Sequence, residues 1–586
     1  MWLTDQVRTD RLFGSQFRRK IVGLAAVARS WGADGYASSE VLTDGRGLPA
    51  NTVFDVDVCI IGTGPAGLTV AQELIGSRGR ILLLERGDAS ERLGADLATR
   101  LEFESPHFPS PLEAIHHQLG GMAAIWNLRL LDEVTPGARY LPLDPIDFET
   151  REWVPNSGWP ITFDQLAPYY RRARTSCDIG PFDFHGSLPD NGRVPLSSPS
   201  GAMVTRLEQL GPATAFTGQR LVDLTASDHV RVVTNAAAVE LTSADGTDDH
   251  MASISARSSG GIPFAIRCRV VVLAAGAIEN ARLLLNSTAE CPSGLGNGSD
   301  NVGRFFMDHP RLLLGAGSFP DRGARAMDLY ERHLAEGQLL FGKLKLSEAV
   351  LRREEMLNGN AQIFPHSLSV SQLRAVRSAR VVMESIKRGT GLERVPKHFT
   401  MATRHAMAMA RYALIVRNGN RPEVPGRYSD RWTGITAGSY KLTYQPEQAP
   451  NRANRVSLSE RRDTSGYRIA HLDWRWSDID LRSIHRARQL FAAELRASGL
   501  ADLVDIEEDG AIPQAETAHH HLGTTRMHDS PRDGVVDRNC RVHGSSSVYV
   551  AGGSVFPTGG YANPTLTVVA LSIRLADELK RVMSRD

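Results

Sequence analysis

Between an apolar run and a helical pattern lies Gly62-Thr63-Gly64-Pro65-Ala66-Gly67, and this stretch limits the fold more than any other. Asp55 to Ile61 alternates and then turns wholly apolar, as a strand buried on both faces does. After the glycines, Leu68, Ala71, Leu74 and Ile75 recur at helical spacing up to Gly76, a fitting C-terminal cap. A second apolar run, Ile81 to Leu84, ends in Glu85. The spacing predicts a strand-turn-helix-turn-strand unit. In it Gly62 permits the tight turn, Gly64 lets a pyrophosphate approach the backbone, and Gly67 lets helix and strand pack closely. Glu85, 23 residues after Gly62, is placed to accept hydrogen bonds from ribose hydroxyls. The acid disfavours a 2′-phosphate, so FAD or NAD is expected rather than NADP. The local pattern does not separate a resident flavin from a diffusible nicotinamide.

Two later stretches read as steps of the same sheet. Val270 to Gly276 runs into a helix from Ala277, and Ser547 to Ser554 is a further strand before a glycine-rich turn. Asn563-Pro564-Thr565 then opens a long helix with Leu566, Val569, Ala570, Ile573, Ala576 and Leu579 on one face, Asn serving as N-cap and Pro at N1. The nucleotide-binding sheet is thus assembled from separated parts of the chain. The expected division is an N-terminal extension over 1–51, nucleotide-binding parts over 52–160, 226–310 and 506–586, a connecting segment over 161–225, and a substrate domain over 311–505. Within the last, Tyr440 to Tyr444, Arg455 to Leu458 and Arg468 to Trp474 read as strands and Asp478 to Ala497 as a helix.

Composition excludes several classes. The 586 residues are 42% hydrophobic with a net charge of +1, which suits a large buried core and gives no overall attraction to nucleic acid. The five cysteines, Cys59, Cys177, Cys268, Cys291 and Cys540, show no CxxC and no pairing rhythm. That excludes a disulfide scaffold, a thiolate zinc site and a cysteine-held iron–sulfur cluster, and fits a reducing, cytoplasmic setting. No run reaches the ~18 apolar residues of a membrane span. Arg18-Arg19-Lys20 before Ile21 to Ala28 resembles an export signal but lacks its length and cleavage site, so a peripheral N-terminal helix is expected.

The glycine turn with Glu85, Leu119-Gly120-Gly121-Met122 with Trp126-Asn127, Ala274 to Glu279, and Val302-Gly303-Arg304-Phe305-Phe306-Met307-Asp308-His309-Pro310 together resemble the glucose-methanol-choline (GMC) oxidoreductases. So does His520-His521-Leu522-Gly523-Thr524-Thr525-Arg526-Met527 with Val548 to Leu566, the most specific block. The similarity spans most of 52–586 and leans towards bacterial sugar-oxidising, pyranose oxidase-like branches. It implies an α/β FAD-binding Rossmann-like domain built from several segments, plus an α+β substrate domain with an antiparallel sheet. It implies an FAD enzyme that oxidises an alcohol by hydride transfer to flavin N5, with His520 and Asn563 at the reacting face. The cofactor-binding positions it implies are Gly62, Gly64, Pro65, Ala66, Gly67 and Glu85; Gly121, Met122, Asn127 and Ala238; and Gly553, Ser554, Asn563, Pro564 and Thr565. Where some sugar oxidases of the family tether the flavin through a His, this chain has Ile125, which implies non-covalent FAD.

The chemistry of the residue types agrees with that pairing. Hydride leaves a carbon readily when the neighbouring hydroxyl loses its proton, a task for neutral His520, and Asn563 can orient the same oxygen. A metal at His519-His520-His521 is not expected, since adjacent strand residues face opposite ways and no Cys, Asp or Glu lies at ligand spacing. His519 and His521 read as packing residues, and Asp308-His309 as the floor between domains. A sugar, glycoside or polyol is the favoured substrate class, with a secondary-metabolite or sterol alcohol, or a non-redox lyase reaction on the same fold, as alternatives. Oxygen, a quinone or a redox protein would take up the electrons. From Arg374 to Arg417 there are ten Lys/Arg against two Asp/Glu, read as a solvated helical face with Met401, Met407 and Met409 towards the core, or alternatively as a membrane or anion contact.

Overall fold

The computed structural model describes residues 42–77, 79–88, 101–105, 115–126, 128–130, 136–186, 188, 193–243, 252–318, 327, 329–366, 369–388, 395–404, 410, 439–463, 466–500, 503–504 and 515–584. The expectations for the helix at 18–28 and for Asn127 lie outside them.

Thr52–Ile61 is the centre of an eight-stranded sheet. On one side it pairs in parallel with Ile81–Leu84, followed by Val230–Thr234 and then Leu42–Asp44, all parallel. On the other it pairs in parallel with Pro263–Leu273. The last part of that long strand takes Val548–Val550 in parallel, and its first part pairs antiparallel with Ala252–Ser258, which carries Ala236–Thr242 at the edge. Val58, Ile60, Leu82, Leu83, Val271 and Val272 are fully buried because helices cover both faces. Each such side chain contributes about 1.5–3 kcal/mol of burial. Helix Pro65–Leu74 packs on the C-terminal helix Thr565–Met583, which also carries Phe163–Ser176. Pro65–Leu74 ends one residue short of the predicted face: Ile75 is the cap and is exposed, and Gly76 takes the left-handed turn with φ +86°.

A second sheet of eight strands is antiparallel throughout. It runs Leu312–Gly317, Ser439–Pro446, Gly359–His366, Gln338–Leu346, Met203–Pro212, Pro136–Tyr140 and Leu128–Arg129, with His333–Ala335 beside Gln338–Leu346. This corrects the expected division in three places. The ordered domain begins before residue 52, because Leu42–Asp44 extends the first sheet and Asp44 Oδ1 accepts from Asn235 Nδ2 at 3.2 Å. Residues 128–140 and 203–212 supply strands to the second sheet, not to the first or to a connector. Finally, Arg455–Arg462 and Arg468–Asp473 leave the substrate domain and form a small sheet with Leu101–Glu104 against helix Ala277–Asn286. Arg282 draws them there: its Nε donates to Arg468 O at 2.8 Å and its Nη2 to Asp463 Oδ2 at 2.8 Å.

In the basic stretch, helices Val370–Arg388 and Val395–Arg404 pack on each other, with Leu373 and Ala375 buried but Met383, Ile386 and Phe399 exposed. Met407, Met409 and the side chain of Met401 lie outside what is described. Among the described residues no helix is long and apolar enough to cross a membrane.

A buried ion pair ties the two halves of the molecule. Arg151 Nη1 donates to Glu447 Oε2 at 2.8 Å, Nη2 donates to Oε1 at 2.5 Å, and neither residue is more than 2% exposed. Removing one partner strands the other's charge in the interior. Glu447→Ala is therefore expected to destabilise the protein by about 3–5 kcal/mol, read as a lowered midpoint in urea unfolding; a shift under about 1 kcal/mol contradicts it.

Candidate active site

A cleft of about 1050 Å³ runs from the glycine turn to the inner face of the second sheet. Of the predicted positions, Gly62, Gly64, Pro65, Ala66, Glu85, Gly121, Met122, Ala238, Gly553, Asn563, Pro564, Thr565 and His520 all line it. Gly67 and Ser554 do not, and both have structural jobs instead. A Cβ on Gly67 would fall 2.0 Å from Gly62 O, so this glycine serves helix–strand packing. Ser554 is fully buried and its hydroxyl accepts from Asn280 Nδ2 at 3.0 Å, while Asn280 Oδ1 accepts from Ala275 N at 2.9 Å.

Gly64 and Gly276 behave differently from Gly67. A Cβ on either would meet no described atom within 4 Å, although Gly276 also takes φ +87°, and both line the cleft. Their lack of a side chain keeps the cleft open at the start of two helices, Pro65–Leu74 and Ala277–Asn286, where free N–H groups favour anions. Glu85 is 5% exposed and is held by Thr63, whose N and Oγ1 both donate to Oε2 at 3.1 and 2.6 Å. Its Oε1 accepts from Gly87 N at 3.0 Å. Beyond it Arg86, Glu279, Arg282 and Tyr467 line the end of the cleft, with Asp463 beneath them accepting from both arginines. The two arginines outweigh the cost of burying Asp463 and hold its carboxyl down at about 2.

His520 is positioned from three sides. Its backbone N donates to Asp308 Oδ1 at 2.8 Å, and Leu522 pairs with Met307 in an antiparallel bridge that sets the strand's direction. Its Nδ1 lies 2.9 Å from His309 Nδ1, the rings meeting edge to face at 5.1 Å. Burial, with His309, His519, Lys343 and Arg311 nearby, pushes its pKa well below the usual histidine range. His309 is fully buried and also lowered, chiefly by burial, against the pull of Asp308. Asp308 and His309 are both fully buried, and together they hold the imidazole at 520. His521 packs against Phe306 with centroids 5.2 Å apart; His519, expected to pack, is exposed with φ +62°.

Asn563 departs from its predicted use. The helix begins at Thr565 with Pro564 in the capping position, no side chain caps it, and Asn563 Oδ1 is buried with no hydrogen-bond partner among the described residues. Proline already fixes the backbone for helix entry, which releases the carboxamide to face the cleft. Residues that the sequence reading left unassigned also line this end: Arg139, Arg311, Arg332, Gln445 and Thr517. Arg139 and Gln445 lie within strands of the second sheet and the other three outside its strands, and no local motif marks any of them.

A family model described as GMC oxidoreductase matches residues 450–572. The 2-methyl-1,2-propanediol dehydrogenase of Mycolicibacterium austroafricanum is 21% identical over 90% of this chain and 96% of its own length. The 6‴-hydroxyparomomycin C oxidase of Streptomyces lividus is 23% identical over 92% of this chain and 94% of its own. Over residues 450–572, and by these two relatives along most of its length, the chain is similar to the GMC oxidoreductases. A crystal structure of formate oxidase shares its fold, with a TM-score of 0.51 at 16% identity over 92% of this chain and 100% of that one.

The family implies FAD, and the residues present fit it. A Cβ on Gly64 would meet no described atom within 4 Å, and a buried amide oxygen beside an uncapped helix start has no partner among the described residues. Gly64→Val should therefore fold but lose flavin. The expected result is a far-ultraviolet circular dichroism spectrum unchanged from wild type, with at least a tenfold weaker FAD affinity; full yellow occupancy in the variant contradicts this role.

Proposed function

We propose that this protein oxidises a CH–OH group of a sugar, glycoside or polyol, with His520 as base and Asn563 as the group that orients the reacting oxygen. The observation that carries the reading is the pairing of a neutral, buried imidazole with an unpartnered amide oxygen in one cleft with the open glycines. FAD held by the glycine turn and the start of helix Thr565–Met583 would supply the two-electron oxidising chemistry. The names of the relatives, a diol dehydrogenase and a hydroxyparomomycin oxidase, favour a polyhydroxy substrate.

The Nδ1 to Nδ1 contact requires one proton between the two rings. With that proton on His520, His309 accepts, and the Nε2 lone pair of His520 is the base. The substrate hydroxyl proton moves to Nε2 as the carbon loses hydride. Asn563 offers its amide to the same oxygen without competing for the proton. The start of helix Thr565–Met583 turns unbonded N–H groups towards the cleft, which favours negative charge developing there. Ile125, which also lines the cleft, has no atom that can bond covalently to a flavin, so acid precipitation should release yellow FAD into the supernatant.

The reaction is tested anaerobically. Sugars, glycosides and simple alcohols are mixed with the flavin-loaded enzyme, absorbance near the flavin band is followed, and air is then admitted. At least one is expected to bleach the flavin, and His520→Gln to slow bleaching by about 10²–10⁴-fold with the flavin still bound. A variant that bleaches at the wild-type rate removes His520 from the reaction. Because the folded His520 titrates well below the ordinary histidine value of 6.5, its base form persists as pH falls through that value. The acid limb of kcat/KM should accordingly lie below pH 6.5, and a limb at or above it contradicts the assignment.

A further inference from the structure

The cleft has a second end, beyond Glu85, that the chemistry at His520 does not use. Ala236, Ala237 and Ala238 line it, and Ala236 N donates to Glu85 O at 3.0 Å, which sets their strand directly beside the acid. Side chains this small leave room for a flat ring. A further lining residue comes from outside the nucleotide-binding sheet. It is Tyr467, one residue before strand Arg468–Asp473 of the small third sheet. Buried partners fix its place. Tyr467 N donates to Asp463 Oδ1 at 3.0 Å, and Asp463 N donates to Tyr467 O at 2.7 Å. Asp463 Oδ2 then accepts from Arg86 Nη2 at 2.7 Å and from Arg282 Nη2 at 2.8 Å. Arg86 follows Glu85 at the end of strand Ile81–Leu84, and Arg282 lies on helix Ala277–Asn286, whose start lines the cleft. The Arg282 guanidinium stands 5.0 Å from the centre of the Tyr467 ring. The ring is thus tied to the strand and to the helix that bound this end, and a side chain ordered before its ligand arrives lowers the cost of binding.

Tyr467 is 4% exposed, and its hydroxyl is buried with no hydrogen-bond partner among the described residues. A buried hydroxyl is costly until something completes it. A phenol both donates and accepts, and adenosine offers accepting ring nitrogens, a donating exocyclic amine and ribose hydroxyls that do either. The glycine turn marks where a pyrophosphate lies and His520 marks the reacting end, so the nucleoside half falls beyond Glu85, where Tyr467 stands. Charge is not what recognises it. Arg86 and Arg282 are engaged with Asp463 and lie 3.8 and 3.3 Å from Glu279 Oε2, which leaves the ring and the hydroxyl as the contacts on offer.

We propose that Tyr467 binds the adenosine half of FAD, and that Asp463 is the positioning residue that holds it at the nucleoside end of the cleft. The small third sheet is then part of the cofactor site as well as a partner of helix Ala277–Asn286. This concerns how FAD is held and is independent of which alcohol is oxidised.

The test is calorimetric titration of the full chain, stripped of flavin, with FAD, ADP and FMN. ADP carries the adenosine half without the flavin, and FMN the flavin half without adenosine. Wild type should bind both FAD and ADP. Tyr467→Ala should weaken each at least tenfold, and Tyr467→Phe, which keeps the ring and loses the hydroxyl, at least threefold. FMN affinity should change less than twofold in either variant. Asp463→Asn should move FAD and ADP in the same direction as Tyr467→Phe, again with FMN unchanged, which a general loosening of the fold would not produce. If Tyr467→Ala does not fold, Tyr467→Phe decides. FMN weakened in the same proportion as FAD, ADP binding unchanged in Tyr467→Phe, or no uptake of ADP by wild type each overturns the proposal. None of these results bears on alcohol oxidation, which is read separately from bleaching of the flavin by substrate.

Discussion

Asp308 is completely buried, and its carboxylate is shared among three donors from two parts of the chain. The backbone N of His309 donates at 2.7 Å and that of His520 at 2.8 Å to one oxygen, and Thr517 Oγ1 donates to the other. Its own N–H reaches Gln448 Oε1 at 2.9 Å. A buried carboxylate that lost one of these donors would be left partly unsolvated, so the arrangement resists sliding of the segment 515–522 past 303–311. The same segment is clamped further back, where Gly303 N donates to Thr524 O and Gly303 O accepts from Val456 N, each at 2.8 Å. There a Cβ on Gly303 would lie 1.9 Å from Val456 O, and the residue adopts φ +85°. The His520 imidazole, the first strand of the second sheet and the small third sheet therefore meet along one short stretch of backbone.

The cleft that results has three electrostatic characters in sequence. At the glycine end, backbone N–H groups and Thr63-bound Glu85 provide polarity, and Arg86 and Arg282 beyond them are paired with Asp463. At the middle, two histidines are held neutral by burial, and a carboxamide is released by a proline that takes over the helix entry. At the far end, guanidiniums crowd around one carboxylate. Two imidazoles kept neutral by burial therefore sit between two charged regions of one cleft.

Much of this was legible in the sequence where one residue type had one use. Apolar runs followed by glycines located the parallel strands, and the assembly of one sheet from residues 52–84, 230–273 and 548–550 follows from them. His520 and Asn563 do share the cleft. What escaped was decided by partners distant in sequence. Asn563 read as a helix cap because local chemistry favours it, whereas Pro564 takes that place. Arg455–Asp473 read as part of the substrate domain because its strand pattern carries no address; Arg282 and Asp463 supply it. Arg139 and Lys343 sit in strands whose polarity looks like a solvent face, and only the packing of one sheet on another turns that face inward.

Val548–Val550 pairs with residues nearly three hundred positions earlier, and Thr565–Met583 covers the helix that opens the glycine turn. During synthesis the ribosome releases Thr52–Ile61 and Pro263–Leu273 long before the strand that flanks them and the helix that roofs them. Apolar edges of the half-built sheet wait, exposed, until Val548–Val550 and Thr565–Met583 are made, a delay that favours misassociation of nascent chains and gives chaperones an interval in which to act.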